Sequence, residues 1–526
     1  MTTPLWQAIV FALVAAATLR TRFQGWLYLC QLDEYQPERL ARTALRRVRT
    51  NWRWQGAQAL GGLILALVAV GPGGASRFVA LLLAALLPFG TDRPFARRGE
   101  LRWTARAQRL AVVSGALAVI AVFLAFWAGW PGAVVLGFID AVLVLALALA
   151  LWILLPEEWR RRRGYMRQAE RRIAASEALV VGVTGSYGKT TTKLLLQQLL
   201  DSPETPCFAT PASFNTTLGV CRAINDELRP EHRFAIVEMG AYRPGEIAEI
   251  CSFTHPQVGI VTAVGVMHLE RFGSQEKIAQ AKSELLAALP PGGVAVLPGA
   301  VGQRDLLTAP LRARAVWVGA VGERWWAEEV SVGAEGSRLR LHGSSGEDIL
   351  LMVPIHGDPI LADLLLAWAT AVELGIPTPV LAERAARVTG APHRLQVSQV
   401  GGITIIDDAY NANPDGAAAA LRLLAALPGQ RRVLVTPGFV ELGPLQEESM
   451  RELGRAAAAV CSHVILVGRI QSAAVGAGLE AAGYPASQLT VAADLAQAQR
   501  KLPEVAGAGS VVLFENDLPD SFLEPS

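Results

Sequence analysis

Gly182-Val-Thr-Gly-Ser-Tyr-Gly-Lys-Thr-Thr-Thr192 follows a short apolar run, Ala178 to Val183, and opens onto Lys193-Leu-Leu-Leu-Gln-Gln-Leu-Leu200. Strand, glycine turn, Lys-Thr and helix in that order form a phosphate cradle. Gly185 and Gly188 let the backbone bend so that the N–H groups around Ser186 point at an anion, and the positive end of the following helix adds its dipole. Lys189 supplies a mobile charge for terminal phosphates, and the hydroxyls of Thr190 and its neighbour Thr191 suit a cation or phosphate oxygens. An ordinary glycine turn before a helix is the competing reading, and the joint register of strand, Lys-Thr and helix argues against it.

The chain has 526 residues, room for several domains. It is 52% hydrophobic, too apolar for a purely soluble protein, and its formal net charge of +2 gives no reason to expect a nucleic-acid partner. The basic residues are nearly all arginine. The five lysines are Lys189, Lys193, Lys277, Lys282 and Lys501, and each matters because lysine has chemistry that arginine lacks. Five scattered cysteines without a CxxC fit reduced thiols in a cytosolic compartment.

Residues 1–160 read as a multi-pass membrane region. Apolar runs lie at Leu5–Leu19, Ala57–Val70, Phe78–Phe89, Leu110–Trp130 and Ala133–Leu155, and the last two are long enough to span a bilayer. Arginine-rich stretches (Arg20–Arg53, Arg93–Arg109, Arg160–Arg163) alternate with the nearly uncharged turns Gly71–Gly74 and Gly129–Gly132. The positive-inside rule then puts the arginines and everything after Leu155 in the cytoplasm, at the inner or plasma membrane. Residues 161–177 read as a basic juxtamembrane linker facing anionic lipid headgroups.

An α/β pattern starts near Ala178. Strands at Phe234–Val237, Val258–Val264 and Val294–Leu297 alternate with helical stretches such as Ser274–Leu289, which implies parallel βαβ units. A small β-rich segment, Val316–Leu351, and a helical run, Ile360–Leu374, complete a domain over residues 178–394. A second α/β unit, 395–526, carries strands at Ile403–Ile406, Val433–Thr436, Val464–Val467 and Val511–Phe514.

Several polar groups fall at strand ends, where doubly wound sheets hold their ligands. Glu238 ends the strand Phe234–Val237 and can reach a Mg²⁺ ion on a nucleotide, or serve as a turn carboxylate. His268, beside Glu270, sits past the third strand and can bind metal or substrate, or be structural. Lys282 lies on an alanine-rich helix and by residue type alone reads as a surface lysine. Asp407, Asp408, Tyr410, Asn411 and Asn413 follow another buried strand and can hold ribose, base or a second substrate. Arg394, at the junction of the two units, can place a guanidinium on phosphate. The pattern points to phosphoryl transfer by positioning and charge stabilisation.

The ordered set of Gly182–Thr191, Asn215-Thr-Thr-Leu-Gly219, Glu238-Met-Gly-Ala, His268-Leu-Glu-Arg-Phe-Gly273, Ala281-Lys282, His393-Arg394-Leu and Asp407-Asp-Ala-Tyr-Asn-Ala-Asn-Pro414 resembles the Mur ligases. It is most similar to the D-alanyl-D-alanine-adding, MurF-type branch. The resemblance covers about Ala178 to Phe514 and implies a P-loop-type central domain and a Rossmann-like C-terminal domain. It also implies an ATP-dependent amide ligase of cell-envelope synthesis, in which a carboxylate becomes an acyl phosphate that an amine attacks. Lys189 would bind the ATP phosphates. Thr190 and Glu238 would ligate one Mg²⁺ and His268 a second. Lys282 falls at the family's carbamylated lysine and would support that second metal, reversing its reading as a surface residue. Asn215 and Asn411 would lie near base or ribose, Arg394 at the γ-phosphate, and Asp407 at the ribose or the hinge.

The departures concern the substrate ends. A membrane region stands where the family has its UDP-sugar-binding domain. The family's Gly-x-His-Asn-x-x-Asn appears as Gly357-Asp-Pro-Ile-Leu-Ala-Asp363, and its Lys-Gly-Ser as part of Phe514-Glu-Asn-Asp-Leu-Pro-Asp520. The acceptor is therefore expected to be a muramoyl-peptide-like or lipid-linked carboxylate, joined to an amino acid or D-Ala-D-Ala. A poly-γ-glutamate synthase-like ligase and a non-catalytic nucleotide-binding scaffold are the competing readings.

Overall fold

The computed structural model describes residues 5–32, 35–45, 101–128, 139–212, 214–265, 269–333, 335–410, 412–440 and 442–516. The chain divides between Arg161 and Arg162 into two compact units. In the first, the helix Leu5–Leu32, the helix Ala105–Trp127 and the opening part of the helix Ile139–Ser176 bury Trp26, Leu27, Leu110 and Leu147 against one another. Large apolar side chains such as Val119, Phe123, Leu145 and Trp152 stay exposed. Two of the helices, over Ala105–Ala125 and Ala141–Ser176, are long and apolar enough to cross a membrane by length and composition. The expected runs Ala57–Val70 and Phe78–Phe89 and both Gly/Pro turns lie outside the described residues.

Residues 161–177 differ from the expected linker. Through Ser176 they continue the helix that begins at Ile139. Met166, Ala169 and Ile173 recur at helical spacing. Ala169 and Ile173 are buried with Val180, Ile224 and Phe253 of the second unit, and Met166 packs against the same cluster. Arg162 reaches Glu249, and Arg172 donates to the Asn225 carbonyl at 3.0 Å. A basic composition had concealed one apolar stripe.

The second unit is built on two sheets. The larger runs in the order β2-β3-β1-β4-β5-β6-β7-β8-β9. Its strands are β1 (Leu179–Thr184), β2 (Cys207–Ala209), β3 (Phe234–Glu238), β4 (Val258–Val261), β5 (Val294–Pro298), β6 (Arg314–Val318), β7 (Trp325–Gly333), β8 (Gly336–Gly343) and β9 (Asp348–Val353). Neighbours from β2 through β7 pair parallel, and β7-β8-β9 form an antiparallel meander. β1 and β3 are almost wholly buried, as expected of parallel strands covered on both faces. Strand β4 stops at Val261, three residues before the predicted end, and just beyond it the Thr262 hydroxyl donates to the Thr184 and Tyr187 carbonyls.

The smaller sheet runs β10-β11-β15-β12-β13-β14. These are β10 (Gln396–Val400), β11 (Ile403–Asp408), β12 (Arg431–Thr436), β13 (His463–Val467), β14 (Leu489–Ala492) and β15 (Ser510–Glu515). It is parallel except for the edge strand β10. In the larger sheet the chain leaves β1 for β2 and β3 on one side and returns to β4 on the other. The crevice outside the carboxyl ends of β1 and β4 is thus the topological switch point, where open α/β sheets bind ligands.

The helix Asp358–Glu373 covers the large sheet with an almost continuous apolar surface. Its Trp368 meets Trp325 of β7 edge to face at 5.8 Å, both indoles fully buried. Neither indole N–H has an acceptor among the described residues. Trp368→Ala is expected to lower the free energy of unfolding of this unit by about 3–5 kcal/mol. Trp368→Phe, which keeps a ring and removes the unpaired N–H, is expected to cost much less. Urea midpoints at unchanged slope would show this; equal losses for the two variants would contradict it.

Candidate nucleotide and cation site

The glycine turn lies at the switch point. Gly188 has φ +83, and a Cβ there would stand 2.4 Å from Oδ1 of Asp363, so both conformation and space demand glycine. The helix starts at Lys189, four residues before the expected Lys193. The Lys189 ammonium donates to the Gly185 carbonyl at 2.8 Å and the Ser186 carbonyl at 3.2 Å, at the mouth of the turn. Burial lowers its pKa, opposed by the nearby Glu238 charge. Ser186 braces the turn: its hydroxyl exchanges hydrogen bonds with Gly265, and its N–H donates to the Ala263 carbonyl at 2.8 Å.

Glu238 ends β3 beside this turn and is 1% exposed. Its Oε2 accepts from the Thr190 hydroxyl and from the Lys193 ammonium, each at 3.0 Å, and its Oε1 accepts from the Asn215 amide at 2.9 Å. Burial pushes the carboxyl up, but Lys193, Lys189 and the Asn215 bond together bring it below its ordinary value. The group is an anion at neutral pH. Asn215, expected near base or ribose, donates its amide to this carboxylate. Lys193, unassigned from sequence, is fully buried against it. Only its place one helical turn beyond Lys189 and Thr190 could have singled it out.

Lys282 is 3% exposed on the helix Gln275–Ala288, far from its residue-type reading as a surface lysine. Its neighbours Ile278, Ala281 and Leu285 belong to the apolar core. Burial, reinforced by the Lys189 charge, lowers the Lys282 amine to about 7. Asp363 is a second buried group. It accepts from the Thr192 hydroxyl at 2.9 Å, and burial raises it to about 8 against the opposing pull of Arg394 and Lys189.

A partly open cleft runs from the turn to the second sheet. Gly188, Thr191 and Asp363 line it on one side and Arg394, Asp408 and Tyr410 on the other. The Arg394 guanidinium lies 4.8 Å from the Tyr410 ring centre. Tyr187 donates its hydroxyl to Asp415 at 2.8 Å, joining the glycine turn to the first turn of the helix Pro414–Ala426. Asp407 does not line the cavity: its carboxylate pairs with His393 at 2.7 Å and caps the Ala409 N–H, which fits the hinge reading better than a ribose contact. Beneath, Asp408 and Glu515 stand opposite each other on β11 and β15. Burial raises Asp408 to about 6 and Glu515 well above its ordinary value.

His268, Asn411 and residues 517–520 lie outside the described residues. Among the described residues no group of three or more His, Cys, Asp or Glu side chains forms a metal centre. The donor set that remains is one ionised carboxylate and one hydroxyl, hard oxygens at a phosphate cradle, which suits a Mg²⁺ that keeps waters and nucleotide oxygens as its other ligands.

Comparisons with known proteins agree with this layout. Residues 183–371 match the family model for the Mur ligase middle domain, and residues 393–515 match that for the Mur ligase glutamate ligase domain. The chain is similar to a UDP-N-acetylmuramoyl-tripeptide–D-alanyl-D-alanine ligase of Escherichia coli (strain K12), 33% identical over 56% of this chain and 65% of that one. A protein of the same name from Mycobacterium tuberculosis (strain ATCC 25618 / H37Rv) is 37% identical over 59% of this chain and 63% of its own. The chain thus spans a little less than two thirds of the length of these relatives. The crystal structure of MurF from Acinetobacter baumannii superposes with a TM-score of 0.61 at 28% identity, over 68% of this chain and 77% of that one. With both domain models matched in order across the two sheets that frame the cavity, the chain belongs to the Mur ligase family.

Proposed function

We propose that the protein is an ATP-dependent amide ligase of the MurF type in cell-envelope synthesis. The observation that carries this reading is the Thr190 hydroxyl on the ionised Glu238 carboxylate, at the mouth of the phosphate loop. Thr190 and Glu238 would hold a Mg²⁺ ion, which when bound offsets phosphate charge. Lys189 and the N–H groups of the turn bind and orient the polyphosphate, and Arg394 faces the same cavity from the second sheet. No side-chain nucleophile is required: a substrate carboxylate takes the terminal phosphoryl group, and an amine displaces phosphate from the acyl phosphate. Thr191 lines the nucleotide cavity, and Ser186 and Asp407 act as braces of the turn and the hinge. His268 is proposed at a second cation and Asn411 at the nucleotide.

Lys282 is proposed to carry CO₂ as a carbamate. Its burial keeps a large fraction of the amine neutral at physiological pH, the form that reacts, and the resulting anion would be attracted by the Lys189 ammonium. Asp363 is proposed to face the nucleotide as a neutral acid, doing with an O–H what an asparagine does with an amide.

For the acceptor, a muramoyl-tripeptide with D-Ala-D-Ala is named by the relatives, and a lipid-linked carboxylate is the alternative. The alternative is favoured by the apolar helices that occupy the N-terminal region. On this reading the helices span the inner or plasma membrane more than once, and the ligase domains lie at its cytoplasmic face near anionic lipid.

ADP release should appear with Mg²⁺·ATP and a suitable carboxylate and amine, with the ligated mass detected. Full rate on UDP-muramoyl-tripeptide and D-Ala-D-Ala would remove the lipid-linked alternative, and nucleotide binding without turnover on any pair would leave a scaffold. Lys282→Arg is expected to lower kcat by roughly 100-fold. It should also abolish a carbamate resonance that ¹³C-bicarbonate gives the parent and that grows as pH rises through about 7. An unchanged kcat would remove the carbamate role. Asp363→Asn should keep nucleotide affinity. The folded state holds the Asp363 proton up to about pH 8, while the unfolded chain releases it near 4, so this group's contribution to stability falls across that window. The melting-temperature advantage of Asp363→Asn over the parent should therefore grow from pH 4 to 8 and then level off; a constant difference would show that Asp363 is ionised throughout.

A further inference from the structure

Two lysines stand four residues apart on the first turns of the helix Lys189–Leu200, and the structure gives them different surroundings. Among the described residues, Lys189 bonds carbonyls of its own glycine turn. Lys193 is 0% exposed, and its Nζ is held by the Ala212 carbonyl at 2.5 Å and by Oε2 of Glu238 at 3.0 Å. A side chain so enclosed cannot leave to contact a phosphate.

Its effect on Glu238 is geometric. Two carboxylate oxygens offer about four lone-pair directions. Thr190 and Lys193 take both on Oε2, and Asn215 takes one on Oε1. Asn215 is itself wedged: a Cβ on Gly240 would lie 2.8 Å from its amide carbon, and the Gly240 N–H donates to the Asn215 carbonyl. The carboxylate is therefore fixed in rotation by three donors, and one acceptor direction on Oε1 is left. The Thr190 hydroxyl, whose proton is committed to Oε2, turns its own lone pairs away from Glu238.

Packing alone does not account for an ion pair here, since apolar residues of the same volume stabilise an interior as well or better. We propose that Lys193 is a positioning residue of the cation site, locking Glu238 and through it the Thr190 hydroxyl into the arrangement that receives the divalent ion of the nucleotide. The proposal rests on the Mg²⁺·ATP reading above. It makes the second lysine of the loop a partner of the protein, with the phosphates left to the first.

The test is Mn²⁺ binding, followed by electron paramagnetic resonance, to the full-length protein in the presence of a non-hydrolysable ATP analogue. Affinity for the analogue is also measured separately in chelator. Lys193→Met is expected to weaken Mn²⁺ binding by roughly 10- to 100-fold, the range for losing a residue that orients a metal ligand, with little change in metal-free analogue affinity. Lys193→Gln, which keeps a donor, should recover part of the loss. A folded Lys193→Met protein that binds Mn²⁺ as the parent does overturns the proposal and leaves Lys193 a structural ion pair. Should Lys193→Met fail to fold, Lys193→Gln, which leaves Glu238 in place and keeps a donor but not the charge, replaces it. Parent-like Mn²⁺ binding by Lys193→Gln then overturns the proposal equally, and weakened binding with retained analogue affinity supports it. A parent that binds the analogue but no Mn²⁺ overturns the cation site and this proposal with it, whereas a parent that binds neither overturns the ATP reading itself.

Discussion

A carboxylate kept ionised inside a protein needs partners, and Glu238 has three. Thr190 and Lys193 come from the helix Lys189–Leu200 and Asn215 from the loop after β2, and the two from the helix reach Glu238 only if β1 and β3 are paired in register and that helix starts at Lys189. The buried ion pair is weak ground for stability, since desolvating two charges offsets most of their attraction. It is stronger ground for specificity of structure: a shift of one strand or one helical turn would strand a charge without a partner. The glycine turn, the strand end and the loop at Asn215 are thereby held to one geometry before any ligand arrives.

The parallel sheet was legible because its strands are unbroken apolar runs that end in polar residues. The site's framework was legible because glycine, lysine and threonine at fixed spacing have few other uses. What the residues hid were contacts across the chain. Nothing in the local pattern around Lys193 distinguishes a buried lysine from a solvated one; the distinction comes from Glu238, 45 positions later. Lys282 was misjudged by residue type for the same reason, and only family resemblance corrected it. Asp363 departs from the family's motif, yet its burial against Thr192 and Gly188 depends on how the Asp358–Glu373 helix crosses the turn.

The second sheet adds an acidic wall to this frame. Asp408 faces the cavity and Glu515 lies behind it, and with Asp363 across the cleft burial raises three carboxyl groups, Asp408 only to about 6 and so still largely ionised at neutral pH. A carboxyl group held neutral, as burial holds Asp363 and Glu515, adds no negative charge to the cleft. Exposed to water, those two side chains would add two negative charges beside the glycine turn, so their burial leaves the cleft less acidic than its composition.

The helix that runs from Ile139 to Ser176 has a consequence for where the ligase part begins. The family-model match starts at residue 183, within the first strand, but Ala169 and Ile173 are buried with Val180, Ile224 and Phe253 as part of the same interior. A fragment cut at the edge of the recognisable homology would have a hole in its floor. The unit of inheritance and the unit of folding have different starting points here, and the offset of some fifteen residues belongs to the helix that also carries the long apolar stretch.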